Sequence, residues 1–305
     1  MSDLEQRDNP YNVTQASRIY FLPNLMTAGN LFCGFGAVIK CIQARLITDA
    51  GDYAASHAAG DALHTSGVLY TQAVWLILAA LVFDALDGRL ARMGGRTSLF
   101  GAEFDSLADV VSFGMAPALM VFFLILAPRE EYQWFREFGW FIAFVYLLCG
   151  AVRLARFNVI TNPLLHRAEA ESNKDFVGLP IPAAAGTVAT LVLLLLNMSA
   201  NDRELRQLTL ALPLILVLVS FLMVSTVRYP SFKQINWETK TRFRTFVGVF
   251  IAVAVVWRYQ EVSFFFLFLA YIFSGLFAHY QRGVRHVQMR ALRRKVVKMK
   301  QESSE

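Results

Sequence analysis

Long apolar runs, most of them near the length that crosses a membrane, alternate with short polar stretches along this chain. A bilayer core about 30 Å thick needs about 20 apolar residues in a helix that rises about 1.5 Å per residue. Eight runs reach or approach this length, and the seventh is the shortest. They cover residues 21–47, 68–93, 104–127, 138–157, 181–198, 208–227, 246–257 and 264–280. The pattern predicts an all-α, polytopic integral membrane protein with about eight transmembrane helices.

The polar stretches divide the chain into three predicted parts. Residues 1–20 form an N-terminal juxtamembrane segment that lacks the pattern of a cleaved signal peptide. Residues 21–283 form the membrane domain, in which the polar stretch 49–71 is predicted to be an external loop. Residues 284–305 form a basic tail. Its composition is typical either of an amphipathic helix on anionic lipid or of a solvated charged segment that fixes topology.

Composition supports the membrane class, since 56% of the residues are hydrophobic and 17% are charged. Lys and Arg concentrate in alternate polar stretches, and such stretches face the cytoplasm. The bias predicts a multi-pass protein of the cell inner membrane with both termini in the cytoplasm. The net charge of +6 reflects this asymmetry, which makes nucleic-acid binding the weaker interpretation. The three cysteines lie within apolar runs without metal-ligand spacing and are expected to act as small apolar side chains.

Four aspartates, Asp84, Asp87, Asp105 and Asp109, stand close together in apolar surroundings. Carboxylates are costly near hydrocarbon, so a group of them needs an opposite charge, and a metal ion is the usual one. Spacings of three and four residues put each pair on one helix face. Two adjacent helices would then form an oxygen-lined site for one or two divalent ions, Mg²⁺ or Mn²⁺. Such a site is suited to displacement at a phosphate. The distribution of Lys and Arg predicts that the aspartate block faces the cytoplasm.

Small and cationic residues accompany the aspartates. Gly88 and Ala91 follow the first pair at helical spacing, and Gly101 lies one turn before Asp105. Their small side chains would let a flat nucleotide approach the helix backbone. Arg92 offers a planar cation to a diphosphate, and Ser98 could add a hydrogen bond to a phosphate.

The block from Asp84 to Asp109 has the pattern D-x-x-D-G-x-x-A-R, eight residues, then G-x-x-x-D-x-x-x-D. It resembles the signature of the CDP-alcohol phosphotransferases. Further stretches are similar to membrane-type bacterial phosphatidylserine synthases. These stretches are residues 21–38, 109–118, 153–158 and 175–186. The resemblance implies a homodimeric enzyme that transfers the phosphatidyl group of CDP-diacylglycerol to L-serine by metal-assisted direct displacement and releases CMP.

The resemblance also implies roles for individual residues. Asp84 and Asp105 would bridge two metal ions, and Asp87 would bind the first. Asp109 would bind the second ion and act as the catalytic base toward the acceptor hydroxyl. The residues implied or expected to contact the CDP-lipid are Pro23, Asn24, Thr27, Gly88, Ala91, Arg92, Ser98 and Gly101.

The serine site is less defined by the sequence. Arg153 and Arg156 lie one turn apart at the end of the fourth apolar run. One of them could bind the serine carboxylate or the lipid phosphates, or both could be anchors that obey the positive-inside rule. Ser112, Asn158 and Lys174 are further candidates.

Three other interpretations remain open from the residues. The aspartates could form a structural ion-pair network with Arg89, Arg92 and Arg96, although that would not require small residues beside them. Within the family, the acceptor could be glycerol 3-phosphate or an inositol phosphate. A cation-coupled transporter could also use these carboxylates, but its site is expected near mid-membrane, with broken helices.

Overall fold

The computed structural model describes residues 21–52, 56–93, 99–126, 135–161, 176–200, 211–229 and 258–302. These residues are almost entirely helical. The helices are α1 (Phe21–Asp52), α2 (Ser56–Met93), α3 (Leu99–Asp109), α4 (Ala116–Val121), α5 (Phe135–Thr161), α6 (Ile181–Ala200), α7 (Ala211–Val224) and α8 (Gln260–Glu302). Two π-helical segments, Val110–Met115 and Phe122–Leu126, flank α4. Two short strands, β1 (Phe176–Val177) and β2 (Arg228–Tyr229), pair antiparallel.

Six described helical stretches are long and apolar enough to cross a membrane, and α7 is a shorter apolar helix. The six stretches are Phe21–Ala50, His64–Leu90, Phe100–Leu126, Glu137–Ile160, Ile181–Met198 and Val262–Arg282. The predicted all-α membrane class is therefore confirmed, and seven of the predicted runs fall on these helices. The run 246–257 and the segment 1–20 lie outside the described residues.

The predicted external loop at 49–71 is wrong, because most of that stretch is helical. Helix α1 continues to Asp52 and α2 already begins at Ser56. The stretch is polar but rich in alanine, the residue with the highest helix propensity, and that propensity outweighs the polar composition. The basic tail also continues a helix, since the backbone of α8 runs without a break to Glu302.

Helices α1 and α2 pack along each other through small residues. Cys33, Ala37, Cys41 and Ala44, spaced by three or four residues, form a buried stripe on α1. Small side chains let two helix backbones approach closely, which is how helices associate where lipid removes the hydrophobic driving force. Cys33 and Cys41 are buried and form no disulfide bond, which agrees with their expected role as small packing residues.

A close helix approach joins α1 to the first π-helical segment. A Cβ atom on Gly34 would collide with the hydroxyl and backbone of Ser112. Only glycine leaves room for this crossing. The crossing brings α1 against the segment that directly follows Asp109.

A tight turn connects β1 to α6. Gly178 has a φ of +82°, and its amide donates to the Val227 carbonyl at 2.8 Å. A Cβ there would collide with the Met223 carbonyl oxygen and crowd the guanidinium of Arg156. Glycine at this position therefore holds the chain after α7 beside the start of α6, where Pro182 lies in the first turn.

We expect Gly34→Ala to destabilise the protein, because the added methyl group has no space at the α1 crossing. Overpacking of this kind costs about 1–3 kcal/mol. Gly67→Ala is the matched control, since a Cβ at that position meets nothing within 4 Å. It should raise stability slightly through helix propensity. Thermal unfolding of both purified variants, followed by tryptophan fluorescence, measures the difference. Equal melting temperatures for the two would show that the crossing is not tight.

Candidate active site

Three of the predicted aspartates meet where α2 approaches α3. Asp84, Asp105 and Asp109 each offer a carboxylate oxygen, and these oxygens all lie within 4.8 Å of one another. Oxygens that share one divalent ion at about 2.0–2.6 Å can be up to about 5 Å apart. The Oδ1 atom of Asp105 is buried and has no hydrogen-bond partner among the described residues. The cluster therefore has the size and the unmet acceptor that a bound cation would use.

Asp87 lies beside this cluster and is tied to α1. It is buried, and its Oδ2 accepts a hydrogen bond from Thr27 Oγ1 at 3.0 Å. Its carboxyl group is also within hydrogen-bonding range of Asp105. All four aspartates thus form one continuous acidic patch, with Asp87 at the side that faces α1.

Asn30 on α1 supports Asp109, and the sequence interpretation had not singled it out. Its Nδ2 donates to Asp109 Oδ1 at 3.0 Å, and its backbone carbonyl accepts a hydrogen bond from Ser112 Oγ at 2.9 Å. The signal was present in the sequence. Asn24, Thr27 and Asn30 recur every three residues in an otherwise apolar helix, so they lie near one face.

The first π-helical segment begins directly after Asp109. A π-helical turn inserts an extra residue into the helical repeat, and such turns are frequent at functional sites. Here the segment carries Ser112, which is fully buried and whose hydroxyl is bound to the Asn30 carbonyl. Asp109, directly before the segment, and Ser112 within it therefore both contact Asn30 of α1.

The residues predicted to contact the CDP-lipid surround the acidic patch to different extents. Pro23, Asn24 and Gly88 are half-buried, and Thr27 is buried. The Nδ2 atom of Asn24 is buried and unpartnered within the described part of the chain. Gly101 is half-buried on the first turn of α3. Ala91 and Arg92 belong to the last turn of α2, and Ser98 lies outside the described residues.

The two arginines of α5 have different surroundings, although they are one turn apart. Arg153 is only 7% exposed, and its guanidinium lies within electrostatic range of Asp109 and Asp84. Its Nε has no hydrogen-bond partner in the part of the chain that is described. Arg156 donates instead to the carbonyl oxygens of Val177 at 2.9 Å and Val224 at 3.2 Å. Arg153 faces the site, whereas Arg156 fastens the end of α7 to β1.

The remaining serine-site candidates do not gather around Arg153. Asn158 Nδ2 donates to Ser106 Oγ at 2.9 Å and approaches Glu103 Oε2 at 3.4 Å, which ties α5 to α3. Ser112 is bound to Asn30. Lys174 lies outside the described residues.

The sequence had not indicated Tyr271, which lies near Arg153, or Tyr229, which packs against Tyr271. The hydroxyl of Tyr271 on α8 is within electrostatic range of the Arg153 guanidinium. The ring of Tyr271 also packs against the ring of Tyr229 on β2, with centroids 5.7 Å apart. Burial, reinforced by Tyr271, raises the pKa of Tyr229 to about 12, so this hydroxyl stays protonated and can donate at neutral pH.

Comparisons with known proteins agree with this arrangement. The sequence model of the CDP-alcohol phosphatidyltransferase family matches residues 20–221. A CDP-diacylglycerol–serine O-phosphatidyltransferase of Helicobacter pylori is 35% identical over 83% of this chain and 90% of its own length. An enzyme of the same name from Methanocaldococcus jannaschii is 32% identical over 65% of this chain and 79% of its own length. An archaetidylserine synthase of Methanothermobacter thermautotrophicus is 37% identical over 51% of this chain and 56% of its own length.

The matched stretch contains all four aspartates, both α1 residues that hold them, and Arg153. The family match covers about two thirds of the chain, and the Helicobacter pylori relative aligns with 83% of it. This multi-pass membrane protein therefore belongs to the CDP-alcohol phosphatidyltransferase family.

Proposed function

We propose that this protein transfers the phosphatidyl group from CDP-diacylglycerol to L-serine and releases phosphatidylserine and CMP. Two observations together carry the proposal: the geometry of the acidic patch and the names of the relatives. Carboxylates from two helices meet within 4.8 Å, in a chain whose relatives named for this reaction match most of its length. A cation-coupled transporter would show no CMP release, so the reaction itself separates the two classes.

The acidic patch is proposed to hold one or two divalent cations, Mg²⁺ or Mn²⁺. Asp84, Asp105 and Asp109 would supply oxygen ligands, and Asp87, held by Thr27, would complete the set. Bound there, the cation would neutralise charge on the phosphate oxygens during displacement. The ligand chemistry is appropriate, because hard divalent ions prefer carboxylate oxygens.

Asp109 is proposed to be the base that activates the acceptor. It would take the proton of the serine hydroxyl while the serine oxygen forms a bond to the lipid phosphorus and the bond to CMP breaks. The Asn30 Nδ2 hydrogen bond fixes Asp109 through Oδ1, so Oδ2 is the atom proposed to receive the proton. No covalent enzyme intermediate is required by this direct displacement.

The nucleotide is proposed to bind beside the acidic patch, between the start of α1 and the end of α2. Asn24 has a buried, unpartnered amide there, and Thr27 already contacts Asp87. Pro23, Gly88, Ala91, Arg92, Ser98 and Gly101 are proposed as the further contacts. The acyl chains would remain in the bilayer.

Arg153 is proposed to bind the serine carboxylate. It is buried, it faces the acidic patch, and its Nε is unpartnered among the described side chains. A guanidinium has the planar donor geometry that a carboxylate accepts. Arg156 is a weaker candidate for this role, because two backbone carbonyls occupy its donors.

The protein is proposed to lie in the inner membrane with both termini in the cytoplasm. The asymmetric distribution of Lys and Arg supports this orientation. It would place the end of α2 and the start of α3, and therefore the acidic patch, on the cytoplasmic side. We also propose that the protein is a homodimer, for which the family resemblance is the only support. Light scattering of the purified protein measures its mass and tests this oligomeric state.

The metal proposal predicts that chelation abolishes serine-dependent CMP release and that Mg²⁺ or Mn²⁺ restores it. Asp105→Asn should lower the rate by at least about a hundredfold, because a ligand and its charge are lost together. Asp49→Asn is the matched control, since Asp49 pairs with Arg45 toward the other end of α1. Its rate should equal that of the wild type. Undiminished activity of Asp105→Asn in excess chelator would refute the metal site.

The different surroundings of the two arginines predict different kinetic effects. Arg153→Ala should raise the KM for serine by about tenfold or more, because a charge-assisted hydrogen bond contributes about 1.5–3 kcal/mol. The KM for CDP-diacylglycerol should change much less. Arg156→Ala should mainly lower thermal stability, since it releases the carbonyls of Val177 and Val224. The assignment fails if Arg153→Ala keeps the wild-type KM for serine, or if Arg156→Ala is the variant that raises it.

The orientation predicts which introduced cysteines an impermeant reagent labels from outside intact cells. In a variant without the three native cysteines, Ser56→Cys should be labelled, because α2 begins on the external side. Ser303→Cys should be labelled only after the cells are opened. The opposite labelling pattern would invert the proposed topology.

A further inference from the structure

Tyr229 is a buried polar side chain that the fold alone does not satisfy. Its exposed fraction is 0%, and its hydroxyl has no hydrogen-bond partner among the described residues. Its ring is fixed in place by α8, because a Cβ on Gly275 would collide with it. A buried phenol whose ring is held and whose hydroxyl is unbonded indicates that something outside the described chain accepts that bond.

The tyrosine pair connects to the acidic patch through Arg153. Tyr271 packs on Tyr229 at 5.7 Å between ring centroids, and its hydroxyl lies within electrostatic range of the Arg153 guanidinium. Arg153 in turn lies within electrostatic range of Asp109 and Asp84 and has an unpartnered Nε. Neighbouring contacts therefore link the acidic patch to Arg153, Arg153 to Tyr271, and Tyr271 to Tyr229.

The donors in this group match one kind of ligand. The Arg153 guanidinium has the Tyr271 hydroxyl within electrostatic range, and Tyr229 packs against Tyr271. Together these side chains offer hydrogen-bond donors near a single positive charge, and a carboxylate presents the matching acceptors and one negative charge. Both tyrosines lie beyond residue 221, where the family match ends. The carboxylate-recognising part of the site would then include residues that the matched family region does not contain.

We infer that Tyr229 and Tyr271 form, with Arg153, the pocket that selects an acceptor bearing a carboxylate. Tyr271 lies nearer to Arg153 and contacts the acceptor carboxylate, and Tyr229 adds the second phenol donor. The inference rests on the proposed function, since it assigns the acceptor end of that same site. It places acceptor selectivity on β2 and α8, whereas the chemistry lies on α2 and α3.

The test uses the purified full-length protein with CDP-diacylglycerol and measures CMP release. Tyr229→Phe and Tyr271→Phe each remove one hydroxyl and keep the ring packing. Each should raise the KM for L-serine about fivefold to tenfold, as expected for one lost hydrogen bond, while the KM for CDP-diacylglycerol stays within about twofold. Tyr280→Phe is the matched control, because Tyr280 lies on the same helix and is 70% exposed.

Ethanolamine, which is serine without the carboxylate, separates recognition from a structural effect. The ratio of kcat/KM for serine to that for ethanolamine should fall in both phenylalanine variants and stay unchanged in Tyr280→Phe. Melting temperatures equal to that of the wild type would show that the variants are folded. If one variant does not fold, the other carries the test.

The possible failures are distinguishable. If wild-type protein releases CMP with serine but both phenylalanine variants keep its KM and its selectivity, the pocket is refuted and the proposed function stands. If wild-type protein releases CMP with neither serine nor any other carboxylate-bearing acceptor, the proposed function and this inference fall together. If another carboxylate-bearing acceptor replaces serine and the variants raise its KM, the pocket stands and the proposed acceptor is wrong.

Discussion

The folded site must hold four carboxylates together among helices that face lipid. Like charges at this distance repel one another, and low-polarity surroundings strengthen the repulsion. Hydrogen-bond donors on an adjacent helix offset part of this repulsion. Thr27 donates a hydrogen bond to Asp87 and Asn30 donates one to Asp109, so α1 supports the carboxyl groups that α2 and α3 present. A divalent cation would supply the remaining positive charge. It would also give a partner to Asp105 Oδ1, which is buried and has no hydrogen-bond donor among the described residues.

This support depends on backbones that approach unusually closely. Gly34 lets α1 cross the π-helical segment at Ser112, and the same crossing carries the Ser112–Asn30 hydrogen bond. Asn30 therefore has its side chain fixed on Asp109 and its carbonyl fixed by the segment that follows Asp109. Positioning of this carboxylate thus comes from packing as well as from electrostatics, and a bulkier side chain at Gly34 would disturb both.

Arg153 and Arg156 are chemically identical side chains whose surroundings give them different roles. Arg156 donates hydrogen bonds to a carbonyl oxygen at the end of α7 and to one on β1. The last carbonyl groups of a helix have no partner within the helix and commonly need such a donor. Arg153, one turn earlier, is buried within electrostatic range of both the acidic patch and Tyr271. The acceptor side of the proposed site therefore depends on α5 and α8, which no local sequence pattern joins.

The sequence by itself determined the membrane class and the four aspartates with their helical spacing, because apolar length and side-chain periodicity are local properties of a helix. It also determined the family, since the aspartate pattern lies in one short block. Tertiary structure decided that Asn30 holds Asp109 and that Arg153, not Arg156, faces the acidic patch. It also decided that Tyr271, with Tyr229 packed against it, lies near Arg153. It also overturned the loop expected at 49–71. These features could not be predicted because they depend on how helices cross, and crossings depend on close contacts such as Gly34 with Ser112 between residues far apart in the chain.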